Sequence, residues 1–228
     1  MKRLIALCAS AAAVAAIWAS EAPRAEADTL TASDALVAMP ARTLDLLSTT
    51  MRLDMLTYYA ADSIYKVPNT MEGLSYLNPP VTDSYLQVQV TPVTRFTVRM
   101  LPGKKGPVVA TSYTVGDSLQ ATDSELCFFD AKMKELNRDK IIKLLSTKDF
   151  IKHEGVDRKV RNEVMTMIPF PTIEYTFDPE STDLKARLTV GEFLGKETNE
   201  RIAPYLIRER VLRWDGSKYK LVKSARKP

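Results

Sequence analysis

Ile173-Glu174-Tyr175-Thr176-Phe177 and Leu184-Lys185-Ala186-Arg187-Leu188-Thr189-Val190 are the stretches whose reading decides the fold. In both, an apolar side chain falls on every second residue, with Glu174, Thr176, Lys185, Arg187 and Thr189 between them. Successive side chains of a strand point to opposite faces, so this period describes strands with one buried and one wet face. Such strands belong to antiparallel sheets, because parallel sheets are covered on both sides by their crossover helices. Asp178-Pro179-Glu180-Ser181-Thr182-Asp183 is dense in turn formers and joins the two strands.

The same period recurs upstream. Leu86, Val88 and Val90 alternate with Gln87 and Gln89, and Phe96, Val98 and Met100 alternate with Arg95, Thr97 and Arg99. Thr91-Pro92 joins these strands, and the turn-rich run Leu101 to Pro107 leads to a third, Val108 to Val115. A fourth strand, Glu125 to Asp130, completes a meander. The last hairpin is Ile207 to Trp214 and Tyr219 to Val222, closed by Asp215-Gly216.

Helical spacing frames these strands. Ser33 is read as the cap of a helical turn over Asp34 to Met39, ended by Pro40. Leu44, Leu47, Met51, Met55 and Tyr58 then mark one apolar face of a helix from Thr43 to Ala61, with Arg52 and Asp54 pointing away from the core. Asn137 to Lys152 is expected to be a connecting helix with Ile141, Leu144, Leu145 and Lys148 on one side. A short helix from Glu192 to Leu206, interrupted near its end by Pro204, follows. The fold class is therefore α+β: N-terminal helices, then antiparallel β-meanders with connecting helices. No low-complexity linker divides residues 28–228, which form a single domain. Residues 43–136 and 160–223 resemble a weak two-half pseudo-repeat. Each closes on an aromatic-Asp turn, Phe129-Asp130-Ala131-Lys132 and Trp214-Asp215-Gly216-Ser217.

The N-terminus points to export. Lys2-Arg3 precedes the apolar run Leu4 to Ala19, too short for a membrane span, and Ala25-Glu26-Ala27 is the small-x-small pattern of a signal peptidase site. Residues 1–27 are expected to be a signal peptide cleaved after Ala27, which sends the chain to the periplasm or cell surface. Cys8 lies inside the apolar run after Leu7, the wrong setting for a lipoprotein cysteine. Without residues 1–27 the chain carries 29 basic and 26 acidic side chains, a net charge of +3. So mild a charge, spread along the chain, excludes nucleic acid as a partner, and no stable membrane span is expected after cleavage. The basic tail Lys218 to Lys227 reads as a solvated strand end.

The chemistry is narrowed by what is missing. Cys127 would be the only remaining thiol, in the strand setting Leu126-Cys127-Phe128-Phe129 of a small buried apolar residue. His153 is the only histidine, which excludes two-histidine mechanisms and histidine-rich metal sites; Lys152-His153-Glu154-Gly155 reads as a solvated loop. There is no G-x-S-x-G elbow, no G-x-x-x-x-G-K and no G-x-G-x-x-G. Carboxylates survive this census: Asp123 with Glu125, and Asp178, Glu180 and Asp183. A glycosidase pair must face across a cleft, and the second group lacks the spacing and glycine of a calcium loop. The aromatic residues Tyr58, Tyr59, Tyr65, Tyr76, Tyr85, Trp214 and Tyr219 suit core packing or a binding surface. Catalytic, cofactor-binding and metal residues: none are assigned, and no cofactor is expected. The leading expectation is an exported module with a non-enzymatic protein-binding, glycan-binding or structural role in the cell envelope, its partner an unknown envelope protein or glycan. The alternative is a hydrolase using paired carboxylates.

Several motifs together resemble a family of unknown function found in Bacteroidales. They are Met39-Pro40 with Leu44-Asp45-Leu46-Leu47, Met51 to Leu56 with Tyr58-Tyr59, Tyr85-Leu86 with Val88, Met100-Leu101-Pro102 and Pro107 to Thr114. Asp123-Ser124 with Phe128-Phe129-Asp130, Ile168-Pro169-Phe170-Pro171 and Arg213-Trp214-Asp215-Gly216 complete the set. Met133 departs from it, since the family pattern implies tryptophan there. The resemblance implies an exported protein of a Gram-negative anaerobe and no particular activity. It also implies O-glycan acceptor sequences of Asp, Ser or Thr, then an apolar residue, which Asp28-Thr29-Leu30, Asp62-Ser63-Ile64 and Asp117-Ser118-Leu119 fit.

Overall fold

The structure, a computed structural model, describes residues 30–61, 66–116, 121–168 and 170–222. The expected leader at residues 1–27 and the expected acceptor sequences beginning at Asp62 and Asp117 lie outside them, as do Asp28 and Thr29. The fold is α+β, with every strand pairing antiparallel. One sheet has six strands in sequence order: β1 (Val67–Pro68), β2 (Leu74–Thr82), β3 (Tyr85–Thr91), β4 (Thr94–Leu101), β5 (Val108–Val115) and β6 (Asp123–Phe129). The other has four, ordered β10-β9-β8-β7: β7 (Ile173–Phe177), β8 (Leu184–Leu188), β9 (Glu209–Trp214) and β10 (Tyr219–Leu221).

Period-two alternation sorts the residues of the larger sheet into two cores. Leu86, Val88, Val90, Phe96, Val98 and Met100 pack under the N-terminal helices α1 (Ala32–Ala38) and α2 (Thr49–Ala60). On the opposite face Tyr85, Leu101, Ala110, Leu126 and Phe128 meet Ile173, Tyr175, Phe177, Leu184, Leu212 and Trp214 of the smaller sheet. The layers are helices, six-stranded sheet and four-stranded sheet. The short helix α3 (Arg138–Ile141) adds Ile141 to the second core. Helices α4 (Arg158–Met167) and α5 (Lys196–Ile202) close a third, small cluster with Ile151, Val164, Ile168, Val190 and Ile202.

The helix expected over Thr43 to Ala61 begins only at Thr49, where Ser48 Oγ accepts from the Met51 amide at 3.3 Å. Leu44 and Leu47 are core residues all the same, in the irregular segment before it. The cap of α1 is Thr31 rather than Ser33: Thr31 and Asp34 satisfy each other's backbone amides as a capping box. The largest correction is Arg52. It does not point away from the core but is 1% exposed, its guanidinium held by four carbonyls. Nε donates to Leu47 O at 2.8 Å, Nη1 to Met39 O at 2.6 Å and Leu36 O at 3.4 Å, and Nη2 to Leu44 O at 2.9 Å. These carbonyls lie at and beyond the end of α1, where a helix leaves acceptors unsatisfied and carries partial negative charge. One planar fork of donors thus closes the α1–α2 corner.

Other boundaries shift for local reasons. The prolines of Asn78-Pro79-Pro80 hide β2, because proline is expected at strand ends or edges; β2 has β1 on its outer side only at Leu74 and Ser75. The connector from Asn137 to Lys152 is α3 and a 3-10 turn, Thr147–Phe150, with Ile141 and Leu145 buried but Leu144 and Lys148 exposed. Strand β8 stops at Leu188, and Val190–Glu192 is already a 3-10 turn. Glu192 to Leu206 contains α5 and a 3-10 turn over Ala203–Tyr205. The amphipathic helix α4 has no counterpart in the sequence reading.

At the β9–β10 turn Gly216 adopts φ 91°, and Asp215 Oδ1 accepts from the amides of Ser217 and Lys218, both at 2.9 Å. The Lys220 ammonium, 2.7 Å from Asp215 Oδ2, and these amides hold the Asp215 carboxyl far below the usual range. Asp34, held down by Thr31, behaves alike. A carboxyl depressed by folding stabilises the fold above its unfolded pKa and loses that contribution as pH falls through the folded value. The melting temperature is therefore expected to fall on acidification below the ordinary aspartate range, near pH 4. Differential scanning fluorimetry should show a shallower acid decline for Asp215→Asn.

Candidate functional site

The smaller sheet covers only part of the larger sheet's face. Its edge strand β7 lies against β5 and β6, and the edge is satisfied by side chains instead of another strand. Ser124 Oγ accepts from the Tyr175 amide at 3.0 Å, Ser112 Oγ donates to the Tyr175 carbonyl at 2.9 Å, and Asp123 Oδ1 accepts from the Ile173 amide at 3.0 Å. Thr114 Oγ1 and Ser124 Oγ, 2.7 Å apart, extend this polar seam. An edge paired in this way is closed to further strands.

The step between the sheets forms a trough of about 280 Å³. Its floor is Gln87, Arg95, Thr97 and Thr114, and its wall is Glu174, Tyr175 and Thr176. Register places Gln87 opposite Thr97, and Gln89 opposite Arg95, on adjacent strands. A ladder of amides fixes the floor: Asn78 Nδ2 donates to Gln87 Oε1 at 3.0 Å and to Gln89 Oε1 at 3.3 Å, and Gln87 Nε2 donates to Thr97 Oγ1 at 3.3 Å. Glu174 joins floor to wall. Its Oε1 accepts from Arg95 Nη2 at 2.5 Å, and its Oε2 accepts from Arg187 Nε at 3.0 Å. The Tyr175 ring turns into the core, where its oxygen accepts from the Leu145 amide at 2.9 Å and burial pushes the phenol pKa up.

Arg99, the next arginine along β4, is expected on the wet face but is 5% exposed, because the smaller sheet covers that end. Its Nη1 donates to Ser84 Oγ at 3.0 Å and to the Pro179 carbonyl at 3.2 Å, and burial pulls its pKa down.

A second cleft, about 380 Å³, lies on the helix side between Arg42, Asp45, Tyr113, Glu125, Cys127 and Glu135. Arg42 Nη2 spans it to Glu135 Oε2 at 2.8 Å. Burial first, then Glu125 and Glu135, push the Cys127 thiol up, so the cysteine is the opposite of an activated nucleophile. Among the described residues, no group of three or more His, Cys, Asp or Glu side chains could hold a metal ion.

Of the carboxylates singled out in the sequence, the three aspartates are engaged separately. Asp123 holds the Ile173 amide, Asp178 holds the turn amides of Glu180 and Ser181, and Asp183 pairs with Arg213 at 3.3 Å. Among the described residues the carboxyls whose pKa is displaced, Asp34, Asp178 and Asp215, are all displaced downward, whereas a general acid needs a raised one. His153 is exposed in a loop. Tyr85, Trp214 and Tyr219 are core residues. Gln87, Arg95, Thr97, Glu174 and Thr176 of the trough were present in the sequence as wet-face positions of three strands, but no local pattern announces that those faces meet.

No helix among the described residues is long and apolar enough to cross a membrane. A family model described as a protein of unknown function (DUF3256) matches residues 25–219. A domain of an uncharacterized protein from Porphyromonas gingivalis W83 has a similar structure, with a TM-score of 0.71 and 20% sequence identity over 83% of this chain and 96% of that chain. This likeness is one of fold. No curated protein matches the chain.

Proposed function

The chain belongs to this DUF3256 family of proteins of unknown function, and we propose that it is a non-enzymatic, exported module of the cell envelope that binds a protein or glycan in the inter-sheet trough. One observation carries this reading: the trough is a preformed polar surface whose only carboxylate, Glu174, is tied to two arginines and has no freedom for acid–base work. Sheet-borne side chains locked by a hydrogen-bonded ladder suit recognition, since little side-chain entropy is left to lose on binding. Export rests on Lys2-Arg3, the run Leu4 to Ala19 and Ala25-Glu26-Ala27; a single domain over residues 28–228 would then face the periplasm or the outside. A Bacteroidales source agrees with the organism of the structural neighbour.

Protein expressed with its leader and recovered from the envelope should begin at Asp28 and sediment with isolated envelopes. The variant Gln87→Ala is expected to lose most of that retention with little change in melting temperature. Equal retention of the variant, or a cytoplasmic protein still carrying Met1, would contradict the proposal.

A further inference from the structure

We infer that the trough between the sheets takes an uncharged saccharide, one ring of which lies between Gln87 on the floor and Glu174 on the wall. This rests on the binding role proposed above for the same trough.

Ligand class follows from what the lining offers. The Arg95 guanidinium and the Glu174 carboxylate meet where the floor joins the wall, and Glu174 is shared with Arg187, so the charges of the lining are already paired. An ionic ligand would have to break that pair before gaining a counter-charge. No aliphatic side chain lines the trough, and the one aromatic residue, Tyr175, is 4% exposed with its ring in the core. An apolar ligand would therefore find little to cover. What remains is the Gln87 amide, a guanidinium, a carboxylate and the exposed Thr176 hydroxyl, a mixture of donors and acceptors at short spacing above the buried hydroxyls of Thr97 and Thr114. A ligand with many uncharged groups that both donate and accept is a polyol, and a sugar ring carries them on a rigid frame.

The alternative of an extended peptide fails on the backbone. A strand added at this wall would need the outward amide and carbonyl of Tyr175, which are already held by Ser124 and Ser112. The remaining capacity lies in side chains. Gln87 gives one N–H to Thr97 and one carbonyl lone pair to Asn78, which leaves one of each for a ligand. The same two bonds fix which end of the amide is which, so donor and acceptor are presented in a set order.

Size sets the footprint. About 280 Å³ is just under the usual range of roughly 300 to 1,000 Å³ for drug-sized ligands. One ring fits the trough, and neighbouring rings would run out into solvent.

The test is titration of the full chain, recovered from the envelope, with cellotriose, maltotriose, mannotriose, xylotriose and triacetylchitotriose, read by saturation-transfer NMR and calorimetry. A hyaluronan oligosaccharide and an extended acidic peptide serve as charged controls. At least one neutral trisaccharide should bind saturably, and Gln87→Leu and Thr97→Val should each weaken it by about tenfold, a loss of about 1.4 kcal/mol, with the melting temperature kept. No binding by any neutral trisaccharide up to millimolar concentration overturns the inference. So does binding that Gln87→Leu leaves unchanged, or binding of the charged controls alone. If the trough variants abolish envelope retention while no neutral sugar binds, the saccharide assignment falls and the binding role stands. If retention ignores the trough variants, the binding role itself falls.

Discussion

Replacing Arg52 with methionine is expected to cost about 3 to 5 kcal/mol, the range seen when one side of a buried charged network is removed. The methionine fills much of the volume, so cavity formation contributes little. What is lost is the donor set: the carbonyls of Leu36, Met39, Leu44 and Leu47 would stay buried with their acceptor capacity unmet. For a chain of this length that amounts to a fall in melting temperature of roughly 6 to 20 °C. Arg52→Lys should recover only part of the loss, because one ammonium with three donors cannot reach four carbonyls in four directions. Thermal melts of the two variants separate fork geometry from charge. Equal stability of Arg52→Lys and the parent chain would show that charge alone suffices.

Trp214→Ala is the second large expected loss, about 3 to 5 kcal/mol for truncating a buried tryptophan. Trp214 is 8% exposed, its ring centroid is 5.2 Å from that of Tyr219, and its Nε1 donates to the Pro102 carbonyl at 2.7 Å. That bond, with the Lys104 amide on the Gly216 carbonyl at 3.1 Å, fastens the β9–β10 turn to the β4–β5 connection. Trp214→Phe keeps most of the apolar area but removes the N–H, and should cost about 1 to 3 kcal/mol as the Pro102 carbonyl loses its donor. Trp214 does not line the trough, so ligand affinity of the folded fraction should be unaltered. An unchanged melting temperature for Trp214→Ala would mean that the side chain is not part of the core.

Strands whose two faces differ in polarity were legible from alternation alone. β3, β4 and β7 fall where period two places them, β8 does so as far as Leu188, β5 and the closing hairpin fall where the turn residues place them, and Gly216 occupies the positive-φ position that its turn requires. Where the surroundings rather than the local pattern decide, the reading failed. β2 contains two prolines and is recognisable only through its pairing with β3. Arg52 has the side chain of a surface residue and the environment of a core one, because the acceptors it needs are supplied by a different helix. Arg99 lies on the wet face of β4 by pattern, yet the smaller sheet folds over it.

The trough shows the same limit at the level of function. Gln87, Arg95, Thr97, Glu174 and Thr176 were each visible as polar positions between apolar ones. Their meeting depends on how far the smaller sheet extends across the larger, which the seam of Ser112, Thr114, Asp123 and Ser124 against β7 determines. No sequence motif encodes that overlap, because the polar residues are spaced by strand pairing rather than by chain position. The single histidine, His153, was informative in the other direction, since it removed two-histidine chemistry before any geometry was known.

The most direct measurement of the binding role is an amide chemical-shift map of the isotopically labelled chain titrated with the soluble polysaccharide and protein fractions of its own cell envelope. Binding in the trough predicts saturable shifts centred on Gln87, Gln89, Arg95, Thr97 and Glu174, with little change near Arg42, Tyr113 and Glu125 in the helix-side cleft. Shifts centred on the helix-side cleft with the trough unperturbed, or no shifts with any envelope fraction, would contradict it.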